Sequence, residues 1–165
     1  MKEIRIDRDP LTLAGLVAVS RQGASVRLGP GARGEVERAR ELVDRWVREE
    51  RKVYGITTGF GALSDVTISS KDTRTLQRNI LLSHAAGVGD PLPEAVVRAA
   101  MLLRIRDMAL GHTGVRLTTL ERLISLLNAG VVPVVPSQGS VGASGDLAPL
   151  AHLALVLIGE GEAFY

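Results

Sequence analysis

The stretch Gln138-Gly139-Ser140-Val141-Gly142-Ala143-Ser144-Gly145-Asp146-Leu147-Ala148-Pro149-Leu150 joins a glycine-rich loop to an apolar run. Beyond it, Leu147, Leu150, Leu153, Leu157 and Ile158 recur three and four residues apart, which marks one face of a helix. The pattern predicts a helix opening near Gly145, with Ser144 as its N-cap and Asp146 as an acid in its first turn. Just upstream, residues 131–137 contain Pro133 and Pro136 and read as an extended connector. No internal repeat appears, and the succession of predicted helices makes the fold mainly α.

Moving toward the N-terminus, a helix is predicted from Thr118 or Thr119 to about Asn128, stopped by Gly130. Asp90-Pro91 predicts the start of another that runs through Leu110 to Gly111. Val96, Val97, Met101, Leu102, Leu103, Ile105 and Met108 make it apolar almost all round, as in a buried bundle helix. Ser69 or Ser70 would cap a helix through Leu76, Ile80 and His84 that ends near Gly87. Val36, Ala39, Val43, Trp46 and Val47 predict a helix from Gly34, and the glycines of residues 29–34 read as its entry loop. Asp9-Pro10 predicts a helix start that runs to about Arg21, with Gly23 beyond its end. Ile4 and Ile6 alternate with Arg5 and Asp7, so a short strand is expected there, pairing with a second over residues 25–28. The result is one helical domain with a small N-terminal β-ribbon.

At 165 residues the chain suits one domain with a real core. Aromatics are only 3%, so that core must be built from Leu, Val, Ile and Ala. A net charge of +2, with arginines scattered along helices, argues against a nucleic-acid partner. The absence of cysteine excludes disulfides, a thiolate nucleophile and cysteine-based metal sites. No apolar run reaches the roughly 20 residues that span a bilayer, so a cytoplasmic protein is expected. His112 in a turn and His152 in a helix have no acidic partner at metal spacing, and both read as structural or surface residues.

Chemistry concentrates in three stretches. Ala143, Ser144 and Gly145 are small enough for a tight turn in which a glycine nitrogen approaches the carbonyl carbon two residues back. Closure with loss of water, including the serine hydroxyl, would yield an unsaturated imidazolone, an electrophile made from the chain itself. A helix N-terminus beside it would favour negative charge developing on the ring. The plain alternative is a glycine-rich helix start. The second stretch, Tyr54-Gly55-Ile56-Thr57-Thr58-Gly59-Phe60-Gly61, has three glycines in eight residues and no period, which makes it a loop. Its tyrosine is either an amphipathic surface residue or an acid/base on a segment that closes over substrate. In the third, His84 falls on the Leu76/Ile80 face near a helix C-terminus, where a structural histidine would also be at home.

The run from Pro136 to His152 resembles the signature of the aromatic amino acid ammonia-lyases and aminomutases. That family forms 4-methylidene-imidazol-5-one (MIO) autocatalytically from an Ala-Ser-Gly triad. The resemblance implies MIO made from Ala143, Ser144 and Gly145 as the cofactor, with neither metal nor pyridoxal phosphate. It also implies an ammonia-lyase-type helical bundle that begins within residues 1–165, and a C-terminal bundle outside them. Tyr54 to Gly61 resembles the family's mobile loop, which gives Tyr54 an acid/base role and places Gly61 at the substrate. Ser83-His84 resembles the pair at which histidine-specific members contact the substrate side chain, where tyrosine lyases tend to have His-Leu and phenylalanine lyases Phe-Leu. The implied reaction is deamination of L-histidine to trans-urocanate and ammonia, as in histidine ammonia-lyase. A phenylalanine or tyrosine lyase, an aminomutase, and a catalytically inert fragment or assembly subunit are the alternatives. Members are typically homotetramers with active sites shared between chains.

Overall fold

A computed structural model describes residues 2–59 and 73–165. Strand β1 (Glu3–Ile6) is followed by helix α1 (Leu13–Gln22) and strand β2 (Ser25–Leu28). The two strands pair in parallel, Glu3 opposite Ser25 and Ile6 opposite Leu28, so the expected ribbon is a βαβ unit rather than a hairpin. Helix α1 starts later than Asp9-Pro10 predicts. Thr12 is its N-cap, with Oγ1 accepting from the Gly15 N–H at 3.1 Å. Its end is as expected, with Gly23 in the left-handed region at φ 71°.

Helix α2 (Pro30–Arg48) begins four residues before the predicted start at Gly34. The glycines of residues 29–34 are therefore its N-cap and first turns, with Pro30 at the first helical position. Gly29 offers no side-chain cap, and Asp7 replaces it from the end of β1, accepting from the Ala32 N–H at 2.9 Å. After the undescribed segment comes helix α3 (Thr73–His84), so the predicted serine caps at Ser69 or Ser70 lie outside the described residues.

Asp90-Pro91 does not open a helix. It belongs to strand β3 (Val88–Pro91), and helix α4 (Glu94–Ala109) starts after Pro93. Helix α5 (Leu117–Asn128) has Arg116, not a threonine, at its N-cap. The extended connector forms strands β4 (Val132–Pro133) and β5 (Pro136–Gln138), followed by helix α6 (Leu147–Leu157) and strand β6 (Ala163–Phe164). β3 pairs with β5 and β4 with β6, both antiparallel. The mainly helical fold read from the sequence is the one observed.

The core lies where α4 packs between α1 and α5. Met101, Leu102 and Ile105 of α4 are fully buried, together with Val19 of α1 and Leu120, Leu123 and Leu127 of α5. Each such side chain contributes about 1.5–3 kcal/mol relative to exposure. The helix is not buried all round, however, because Val96 and Leu103 stay about half exposed. Arg98 on α4 ties its neighbours together by donating to the Val19 carbonyl from Nη2 at 3.0 Å and to the Leu127 carbonyl from Nη1 at 3.2 Å. Both carbonyls stand near helix C-termini, where the last carbonyls lack intrahelical partners.

Asn128 closes α5 against β2. Its Oδ1 accepts from the Val26 N–H and its Nδ2 donates to the Val26 carbonyl, each at 2.8 Å. Asn128→Leu would leave both strand groups unpartnered and is expected to lower unfolding free energy by about 2 kcal/mol or more. Urea denaturation of the two forms checks this, and a loss below about 0.5 kcal/mol would contradict it.

Candidate active site

The sequence places the triad at the entrance to α6, and the structure shows how that entrance is built. Between β5 and α6 the chain makes no regular structure, and Ala143 and Ser144 are exposed. Asp146, not Ser144, is the N-cap residue of α6, and its side chain makes no capping bond. Pro149 falls in the first turn, where the N–H it lacks would have no intrahelical acceptor, so the helix tolerates it. Gly145 takes φ 71°, a left-handed conformation that other residues adopt at a cost. The Ser140 hydroxyl donates to the Gly145 carbonyl and so braces the loop across the triad.

Helix α3 carries Ser83 and His84 at its C-terminal end and packs on α6. His84 Nδ1 lies 2.8 Å from the Ile80 carbonyl, and Ser83 Oγ donates to that carbonyl at 3.0 Å. A carbonyl only accepts, so Nδ1 carries a proton and, in the neutral ring, Nε2 is left as an acceptor. His84 is partly buried and Ser83 exposed.

A second histidine fixes how α3 meets α6. His152, on α6, accepts the Gly87 N–H at Nε2 over 3.0 Å. Gly87 follows α3 by three residues and leads into β3, whose partner β5 leads into the triad loop. The packing is close enough to require glycine at 139 and leaves little room at Gly87. A Cβ on Gly139 would lie 2.9 Å from the Gly87 Cα, and one on Gly87 would lie 3.0 Å from His152 Nε2. The Arg78–Glu160 ion pair, 2.6 Å, also spans the two elements, but it is solvent-exposed and contributes at most about 1 kcal/mol. His152 was read from the sequence as structural or surface, and its partner turns out to be a backbone amide.

Tyr54 stands on the turn after α2 and is 64% exposed. Thr57 shapes that turn, with Oγ1 accepting from the Val53 N–H at 2.9 Å and donating to the Arg51 carbonyl at 2.6 Å. Gly61 lies outside the described residues. The structure thus places Ser83 and His84 at the end of α3, the triad before α6 on which α3 packs, and Tyr54 on a different segment. Among the described residues, no group of His, Asp and Glu is arranged to hold a metal ion, and no helix is long and apolar enough to cross a membrane.

Comparison with known proteins gives this geometry a family. A family model described as "Aromatic amino acid lyase" matches residues 11–165. The chain belongs to the aromatic amino acid lyase family. Histidine ammonia-lyase of Caldanaerobacter subterraneus subsp. tengcongensis is 56% identical over 165 residues, covering 100% of this chain and 32% of that protein. Its counterpart in Symbiobacterium thermophilum is 61% identical over 153 residues, covering 93% and 30%. Among solved structures, histidine ammonia-lyase from Trypanosoma cruzi superposes with a TM-score of 0.87 at 36% identity, covering 98% of this chain and 31% of that one. Tyrosine aminomutase from Streptomyces globisporus does so with 0.90 at 34% identity, covering 99% and 30%. The chain therefore spans about a third of the length of the curated relatives it matches.

Two residues escaped the sequence reading, and so did the partner of a third. Ser140 and Thr57 are small hydroxyl residues in glycine-rich loops, and nothing local distinguishes a brace from a solvated serine or threonine. His152 lies 65 residues from its partner, beyond any local pattern. Burial lowers the His152 pKa from the ordinary 6.5. The unfolded chain takes up that proton first on acidification. The contribution to stability is therefore whole above the unfolded pKa, and is lost as pH falls from there toward the lower folded value. Imidazole NMR should show His152 titrating below 6.5, and a midpoint at or above that value would contradict the burial seen here.

Proposed function

We propose that this chain is the electrophile-forming part of a histidine ammonia-lyase, which deaminates L-histidine to trans-urocanate and ammonia. The observation that carries the reading is the Ala143-Ser144-Gly145 triad on its braced, exposed loop at the N-terminus of α6, the helix on which α3, with Ser83 and His84 at its end, packs. The similarity to histidine ammonia-lyases at 51–61% identity supports the same substrate.

The residues fit MIO. For the ring to form, the Gly145 nitrogen bonds to the Ala143 carbonyl carbon, and the carbonyl oxygen leaves as water. Ser144 then loses its Cα proton and its hydroxyl as a second water, which creates the alkene. Exposure of Ala143 and Ser144 leaves that alkene open to a substrate, and the left-handed Gly145 with the Ser140 brace supplies the bend. The group supplies an electrophile that activates the substrate amine for departure. Amides of the α6 first turn favour negative charge beside it, an effect that the Asp146 carboxylate at the N-cap opposes. His84 Nε2 accepts the N–H of a substrate imidazole, and Ser83 offers a second polar contact. Tyr54 acts as acid/base on the β-proton, and the family resemblance gives Gly61 a substrate contact.

Leu82 on α3, Val141 in the triad loop, Leu147 at the start of α6 and Ile158 at its end are all exposed. Apolar side chains so placed are suited to cover by more protein, here the remaining two-thirds of a lyase polypeptide in a homotetramer. A cytoplasmic location belongs to the same reading.

Intact mass tests the chemistry directly. Residues 143–145 should be lighter by two water molecules, and Ser144→Ala should abolish that deficit and reduce urocanate formation by the complete enzyme to background. An unmodified triad in a complete enzyme that still makes urocanate would sink the proposal. Substrate choice rests on two side chains. His84→Leu is expected to lower kcat/KM for histidine by about 10- to 100-fold, as when one imidazole nitrogen is left unpartnered. A wild-type preference for phenylalanine or tyrosine over histidine in the same assay would point to the other branches of the family.

A further inference from the structure

We infer that His152 is a positioning residue, whose Nε2, by holding the Gly87 amide, sets the placement of Ser83 and His84 relative to the Ala143-Ser144-Gly145 loop. The inference rests on the lyase reading above and adds a residue that neither forms the electrophile nor touches substrate.

Two routes lead from His152 to reacting groups, and both are short. Along α6 the helix runs back from His152 through less than two turns to Asp146, and the triad follows immediately. Through Gly87 the chain runs back three residues to His84. The Gly87 N–H to His152 Nε2 bond, 3.0 Å, therefore joins the two halves of the site at a point close to each. The bond sits in a tight spot. The Gly139 and Gly87 backbones are too close for a Cβ at Gly139, and the Gln138 carbonyl lies 3.2 Å from where a Gly87 Cβ would be. A shift of Gly87 would thus be transmitted to β5 and the start of the triad loop as well as to α3.

The chemistry of the contact is specific. An amide N–H requires an acceptor, and imidazole offers one only when neutral, with its proton on Nδ1. Burial, which disfavours the imidazolium, keeps His152 in that form. A leucine of similar size would fill the space without accepting. A glutamine places a carbonyl oxygen close to the position of Nε2, whereas an asparagine is too short to reach. Catalysis that depends on two groups meeting one substrate is sensitive to displacements of about 1 Å, which cost as much as 100-fold in rate.

The test uses His152→Leu, His152→Asn and His152→Gln in the complete enzyme, assayed on histidine, phenylalanine and tyrosine. Hydrogen exchange at the Gly87 amide and the two-water mass deficit are followed alongside. The expected result is a loss of kcat of about 10-fold or more in the leucine and asparagine variants, with KM changed less. Gly87 exchange should be faster in both and the mass deficit retained, and the glutamine variant should recover slow exchange and most of kcat. If the leucine variant does not fold, the asparagine and glutamine pair carries the comparison. Unchanged kcat despite faster Gly87 exchange would overturn the inference, as would a glutamine variant no better than asparagine, or a loss confined to thermal stability. Turnover of phenylalanine or tyrosine but not histidine would retire the substrate assignment and leave this comparison intact. No turnover of any of the three would overturn both.

Discussion

Burial of one side of α4 is the interaction on which the remaining architecture depends. Met101, Leu102 and Ile105 exclude water from α1 and α5 together, and Arg98 joins the carbonyl ends of those two helices from the same element. Once α5 is fixed, the chain leaves it at Asn128 and runs directly through β4 and β5 to the triad loop. The site is thus an outgrowth of a rigid seam. Its own residues are largely exposed and contribute little to folding, which leaves their identities free to serve chemistry.

Periodic apolar spacing made the helices legible, because burial of a stripe is a local property of sequence. Their starts were less legible, for a consistent reason. Asp9-Pro10 and Asp90-Pro91 both have the chemistry of a helix start, yet Thr12 caps α1 and residues 88–91 pair with β5 instead. In the second case the partner strand lies more than 40 residues away, and a ladder formed there outweighs local cap preference. Asp7 capping α2 from β1 is the same lesson in reverse, since the cap is absent from the helix's own sequence. Ser144 misled in a smaller way. It has the right side chain for an N-cap, but the left-handed Gly145 postpones the helix to Leu147.

Of the candidate site, the triad and the Ser83-His84 pair stand out in the sequence through their resemblance to a known family, since the residues alone also allow a plain helix start and a structural histidine. What stands between them was not legible. The Gly87–Gly139 approach and the His152 bond depend on residues 52 and 65 positions apart that meet only after α3 and α6 pack. A glycine in a turn and a histidine in an apolar helix each have a bland local explanation, and only their conjunction in space carries information. Small residues at such crossings matter for what they leave out, since a single methyl group would separate the segments that the site must hold together.

The Asn128 side chain has a consequence of another kind. A two-stranded parallel unit exposes peptide groups along its outer rims, and such rims invite other extended chains to add on. By presenting one carboxamide to Val26 in the manner of a neighbouring peptide, Asn128 occupies the outer rim of β2 at its centre. One amide from a helix end thus serves as a stop against strand addition, and the unit needs neither a third strand nor a guarding charge at that position.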